Sequence, residues 1–204
     1  MRTAEAFEDN YQSYCEQIAA LDFTSIHSRL GADLHGDELR IWFFNQHYIV
    51  SKEGMFDEGD NRPGYLTSVI LAKYILLCPG VVHEEPEWVS FKDFKSDAYR
   101  STVTAFSTGA ERMVKNHFSG RLNNLRKACA KLGGSLSSLD VSYELAMQFE
   151  ALPRISVLLL FNDKDNDFPA NAKFLYQKHA EYYLDPESLG MTGIYLAERL
   201  KEEA

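Results

Sequence analysis

"VSYELAMQFEALPRISVLLLF", residues 141–161, carries two different strand signatures back to back. Val141, Tyr143, Leu145, Met147 and Phe149 alternate with small or polar residues, the period of a strand with one wet face. A turn at 151–153 leads into "RISVLLLF" (154–161), a continuous apolar run that reads as a central strand covered on both faces. "AKFLYQ" (172–177) supplies a third strand beyond an acidic loop. Upstream, "LRIWFF" and "HYIVS" flank Asn45-Gln46 and predict a β-hairpin over 37–54.

The helices surround these strands. Phe7, Tyr11, Tyr14, Ile18 and Leu21 recur at helical spacing over 3–21. Residues 66–77 are apolar nearly all round, which marks a helix buried on most sides. Phe118, Leu122, Leu125, Cys129 and Leu132 form one stripe, stopped by Gly133-Gly134. "DPESLGMTGIYLAERL" (185–200) closes the chain as a helix with Pro in its first turn. "EGMFDEGDNRPG" (53–64) reads as a loop, and a short strand is expected around Trp88 to Phe91. The fold class is therefore α+β: a mainly antiparallel sheet with helices packed against it. Residues 1–204 are expected to form one domain, helix-rich to about 135, with 136–204 completing a shared core.

Thirteen Phe and eleven Tyr argue for an aromatic core rather than disorder. The net charge of −9 opposes a surface devoted to nucleic acid or anionic lipid. That charge is unevenly spread. Residues 98–139 hold seven Lys or Arg against one acid, Glu111, so this segment is +6 and the remainder −15. Arg112, Lys115, Arg121 and Lys131 in it are candidates for a face that takes an anion or an acidic partner.

Cys15, Cys78 and Cys129 are dispersed, without a C-x-x-C pair, which suits a reducing cytoplasm and disfavours a cluster built from these thiols alone. The N-terminal stretch lacks the apolar core of a secretory signal, and "YLTSVILAKYILLC" (65–78) is too short to span a bilayer. The six histidines form no H-x-x-x-H or H-E-x-x-H, and no G-x-S-x-G, G-x-G-x-x-G or P-loop occurs. "HEEPE" (83–87) could offer a His and carboxylates to a metal, but an exposed loop is the simpler reading. No motif assigns a cofactor.

Asp163, Asp165 and Asp167 in "FNDKDNDFPANAKF" (161–174) are the candidate ligand- or metal-binding residues. They do not form an EF-hand: counting from Asp163, Phe168 stands where Gly is needed and Phe174 where a bidentate Glu is needed. A solvated strand-ending turn competes with an ion or ligand site. About eight residues of strand, roughly 25 Å, keep Arg154 from neutralising Asp163.

"LPRISVLLLFNDKDNDFPANAKFLY" (152–176) with "YYLDPESL" (182–189) resembles a prokaryotic family, domain of unknown function 3786. Leu152, Pro153, Arg154, Ile155, Asp167, Phe168, Pro169, Tyr183, Leu184 and Glu187 carry the resemblance, with "EWVSFKDF" (87–94) and "KLGG" (131–134) upstream. It departs at Ser156, where Pro is usual, and at Asp185. The resemblance implies a cytoplasmic domain without an established activity, some of whose relatives are fused to Cys-rich iron–sulfur segments in corrinoid-dependent metabolism. A non-catalytic accessory domain serving an acidic, iron–sulfur or corrinoid protein is thus the leading expectation. The alternatives are a metal-assisted or acid–base enzyme using the loop 163–167, and a small-ligand protein with an aromatic-lined pocket.

Overall fold

The computed structural model describes the backbone of residues 2–94 and 100–204, and the side chains of 7–94 and 108–204. Helix α1 (Arg2–Ala19) buries Tyr11 and Ile18 along the expected stripe. Helix α2 (Phe23–Leu30) starts where the Asp22 carboxylate accepts the Thr24 N–H, and stops at Gly31 in the left-handed region, φ 68°. Four antiparallel strands follow as a meander: β1 (Asp33–His35), β2 (Glu38–Phe43), β3 (Gln46–Ser51) and β4 (Gly54–Asp57). Helix α3 (Tyr65–Leu76) is buried on most sides, as its wheel predicts.

The second sheet has the order β5-β9-β8-β7-β6, antiparallel throughout. Its strands are β5 (Trp88–Ser90), β6 (Ser135–Leu136), β7 (Leu145–Leu152), β8 (Ile155–Asn162) and β9 (Asn171–Gln177). β8 is central and covered on both faces, with Val157 to Phe161 all buried. Helices α4 (Arg100–Phe118) and α5 (Leu122–Lys131) precede this sheet's main strands. Helix α6 (Pro186–Glu202) ends the chain, its Asp185 carboxylate accepting the Ser188 N–H at 2.8 Å. It packs on α3, α4 and α5, while α4 lies on β9. One hydrophobic cluster, from Tyr11 to Leu200, runs through both sheets. The architecture is α+β.

Four local readings need correction. The first hairpin turns at Phe44-Asn45, not Asn45-Gln46, because Phe43 pairs with Gln46. Phe44 sits at φ 53°, strained for a bulky residue. Burial against Phe43 and a stack on Tyr195 at 5.2 Å offset that strain. The stripe from Phe118 to Leu132 is not one helix: it breaks at 119–121, where Gly120 takes φ 76°. Strand β7 begins at Leu145, so Val141 and Tyr143 precede it. The loop read at 53–64 contains β4.

β4 is held as a strand from outside its sheet. The Tyr11 hydroxyl donates to Met55 O at 3.2 Å and accepts the Met55 N–H at 3.0 Å. Other strand edges are closed in the same manner. The Phe174 N–H on β9 donates to the Glu111 carboxylate at 3.2 Å, and Ala151 O on β7 accepts the Phe44 N–H at 2.9 Å. Backbone groups that no strand pairs are thus matched by helix side chains and a hairpin tip, as buried main-chain polar groups require.

α6 meets β9 so closely that a Cβ at Gly193 would run into the Tyr176 hydroxyl. Gly193→Ala is expected to destabilise the fold by about 1–3 kcal/mol, and Tyr176→Phe to recover most of that loss. A double-mutant cycle in denaturant measures the coupling; additive effects would contradict the contact. Glu111 gives a pH test. Burial raises its pKa, against the opposing effects of the Phe174 amide and Lys173. With the folded pKa above the unfolded one, stability falls as pH rises through that window. Glu111→Gln should therefore melt higher than wild type at neutral pH, with the gap closing below pH 4.5, the ordinary value for the carboxyl. A pH-independent gap would refute the assignment.

Candidate functional site

Two clefts lie at opposite ends of β8. At its C-terminal end the acidic loop meets the basic helices. Asp163 accepts the Gly120 N–H at 2.5 Å on one oxygen and the Leu122 N–H at 3.1 Å on the other. It therefore caps α5, whose own N-cap residue, Arg121, makes no side-chain cap bond. The Asp163 N–H in turn donates to Glu144. Asp165 closes the loop on itself: one carboxylate oxygen accepts the Phe168 N–H at 2.7 Å and the Asp167 N–H at 2.8 Å. Those two amides, Phe168 first, hold its pKa below the ordinary range.

Asp163, Asp165 and Lys115 share one cleft of about 610 Å³ with Glu144, Lys164 and Phe168. Two groups of residues far apart in sequence are thereby brought together. Asp167 is exposed and does not line the cleft, and Lys131 is drawn to the far end of α5, where its Nζ donates to Glu203 O at 2.9 Å. Arg112 and Arg121 are exposed. Burial, then the positive charges of Arg121 and Lys201, lower the pKa of His117 beside them. Among the described residues, no group of three or more His, Cys, Asp or Glu side chains gathers as metal ligands.

At the other end of β8 the two-residue turn Pro153-Arg154 docks on the end of α2. The Arg154 guanidinium donates to Ser28 O at 3.0 Å and Arg29 O at 3.3 Å, and pairs with Glu84 at 2.6 Å. It adds a second donor to Ser28 O, which already accepts the Gly31 N–H at 3.2 Å, and reaches Arg29 O as well. Arg154 is thus engaged here, not with Asp163. Gly31 makes the approach possible, since a Cβ there would meet Pro153 at 3.0 Å. His179, 4% exposed, joins the same node. Its Nε2 faces only Arg154 O, at 2.9 Å, which assigns the proton to Nε2. Nδ1 then accepts the Glu85 N–H at 2.8 Å. The Tyr183 hydroxyl accepts the His83 N–H at 3.0 Å, so "HEEPE" is fastened at two points.

This stitching walls a second cleft of about 610 Å³, whose lining includes Glu85, Gln148, Glu150, Ser156, Gln177 and His179. Both clefts are polar or mixed rather than aromatic-lined. Glu85 belongs to the "HEEPE" segment; of the others, Gln148, Glu150, Ser156 and Gln177 give only the signal of polar residues at alternate positions on strands. Cys129 is fully buried, and burial pushes its thiol up to about 12, far from a reactive thiolate.

The chain thus has an α+β fold of two antiparallel sheets tied by helices, with a cleft at each end of the central strand. A family model described as Domain of unknown function (DUF3786) matches residues 22–199, and the chain belongs to that family. No curated protein and no solved structure matches it. Among the described residues, no helix is long and apolar enough to cross a membrane.

Arg154→Ala is expected to cost about 2 kcal/mol, because it removes the guanidinium's hydrogen bonds to Ser28 O and Arg29 O together with its pairing to the exposed Glu84. Asp163→Asn should cost about 1 kcal/mol, the usual scale of a lost cap charge. Urea unfolding of the two variants checks both magnitudes and their order.

Proposed function

We propose that the protein is a non-catalytic binding or accessory domain of the prokaryotic cytoplasm that docks an acidic protein partner through the corner between α4 and α5. The observation that carries this reading is Phe168, 71% exposed, in the cleft that also holds Lys115 and Lys164. Its backbone is pinned by Asp165 and followed by Pro169, so little conformational freedom is lost when the ring inserts into a partner. A rigid exposed aromatic is the arrangement of an interface anchor; the cleft round it mixes Lys115 and Lys164 with Glu144, Asp163 and Asp165, the last two already engaged by backbone amides. Burial first, then the charges of Arg121 and Lys201, depress the pKa of His117, so two cations lie close to this corner in a chain of net charge −9. Their field would speed encounter with an acidic surface and weaken with salt.

An iron–sulfur or corrinoid-dependent protein is the proposed partner class, on the strength of the family resemblance. The engagement of Asp163 and Asp165 with backbone amides supports a structural role for the acidic loop rather than one in turnover.

The test is affinity capture from host lysate at low salt with the full chain, run beside Phe168→Ala and the pair Lys115→Glu/Lys164→Glu. A stoichiometric partner retained by wild type, and lost with either variant or in high salt, is expected. Identical retention by all three proteins would overturn the assignment of the surface.

A further inference from the structure

The cleft at the Arg154 end of β8 lies roughly 25 Å from the docking corner, the length of the strand between them. Its floor follows from strand register. Glu150 on β7 stands opposite Ser156 on β8, and Gln177 on β9 stands opposite Trp88 on β5. Ser156 and Gln177 are neighbours too, since the Ser156 N–H donates to Gln177 Oε1 at 2.9 Å. Glu150, Ser156, Gln177 and Trp88 therefore make one row across four strands, on the sheet face opposite Phe149, Val157 and Tyr176, which are buried. The adjoining row brings Gln148, opposite Ser135 of β6.

These groups have hydrogen-bonding capacity to spare. Gln177 uses its carbonyl oxygen on Ser156, which leaves its NH₂ as a donor. Among the described residues, the Gln148 amide, the Ser156 hydroxyl and the Glu150 carboxylate take part in no hydrogen bond, and all three line the cleft. The wall opposite is rigid, because His179 and Arg154 hold Glu84 and Glu85 in place. A volume of about 610 Å³ suits a small molecule. Its lining is polar, however, where most small-molecule sites are apolar.

The charge of the lining narrows the class. Glu85 and Glu150 repel anions, while Glu84 is already paired with Arg154. Arg154 and His179 are engaged in the node, and the remaining polar groups, Ser135, Gln148, Ser156 and Gln177, are neutral hydroxyls and amides that can both donate and accept. Adjacent hydroxyls of a sugar each donate and accept at one spacing, which such a row of amides and hydroxyls matches. We propose that this cleft binds a neutral carbohydrate, laid across β7, β8 and β9.

The experiment presents the labelled full chain to an array of neutral glycans, then titrates the best glycan by calorimetry. Spermidine and trilysine serve as cationic controls. Retention of a neutral glycan is expected, with affinity reduced about tenfold or more, some 1.4 kcal/mol, by Gln148→Ala/Ser156→Ala. Glu150→Gln serves as a second variant should that pair fail to melt like wild type. Absence of any retained glycan would overturn the proposal. So would glycan affinity unmoved by the folded variants, or binding confined to spermidine and trilysine.

Discussion

The carbonyls at the end of α2 are shared among the Gly31 amide, Tyr74 and Arg154, and the guanidinium is the group that ties them to the second sheet. Arg154 reaches the carbonyls of Ser28 and Arg29 from the tip of the β7–β8 hairpin, so the most buried strand pair is located against the helix by main-chain need. The consequences spread from there. Arg154 O receives His179, which holds the segment at Glu85, while Tyr183 holds that segment at His83. Tyr74 donates to Leu30 O at 2.6 Å, so α3 is fastened to the same helix end. Five stretches of chain share one polar node, and most of its members are well buried, where unmade hydrogen bonds are most costly.

The two ends of β8 carry contrasting chemistry. At one end the carboxylates are consumed by amides: Asp163 on the start of α5, Asp165 on its own turn. At the other, Arg154 and Glu84 serve as scaffold, while Glu150 and the neutral amides and hydroxyls remain open. Carboxylate clustering in the sequence therefore marks where the chain needed acceptors for backbone donors, and the open hydrogen-bonding surface lies where no motif draws the eye.

What the sequence disclosed depended on the range of the forces involved. Periodicity placed α1, α3, α6, β8 and β9 because each buries a face set by its own spacing. The break between α4 and α5 was hidden, since the apolar stripe continues through it and Asp163, which caps the second helix, lies more than 40 residues onward. The hairpin turn was misplaced by one residue because Phe44, an improbable turn former, is accepted for the sake of Tyr195 and Ala151. β4 was missed because it is short and its outer edge, at Met55, is closed by a tyrosine hydroxyl on the distant α1. Of the candidate residues, Lys115, Asp163 and Asp165 do converge, yet their convergence could not be read without knowing where β8 ends. The floor of the second cleft needs the register of four strands, which local sequence does not encode.

The family model begins at residue 22, after α1 has ended. Yet Tyr11, inside α1, answers both main-chain groups of Met55, under a guanidinium from Arg62 that lies 3.4 Å from its ring. The unit delimited by shared sequence is thus smaller than the unit that is complete in hydrogen bonds. A fragment cut at the family boundary would carry an open β4 edge, a ready template for adhesion between copies. For this fold, recognisable ancestry and physical self-sufficiency have different borders.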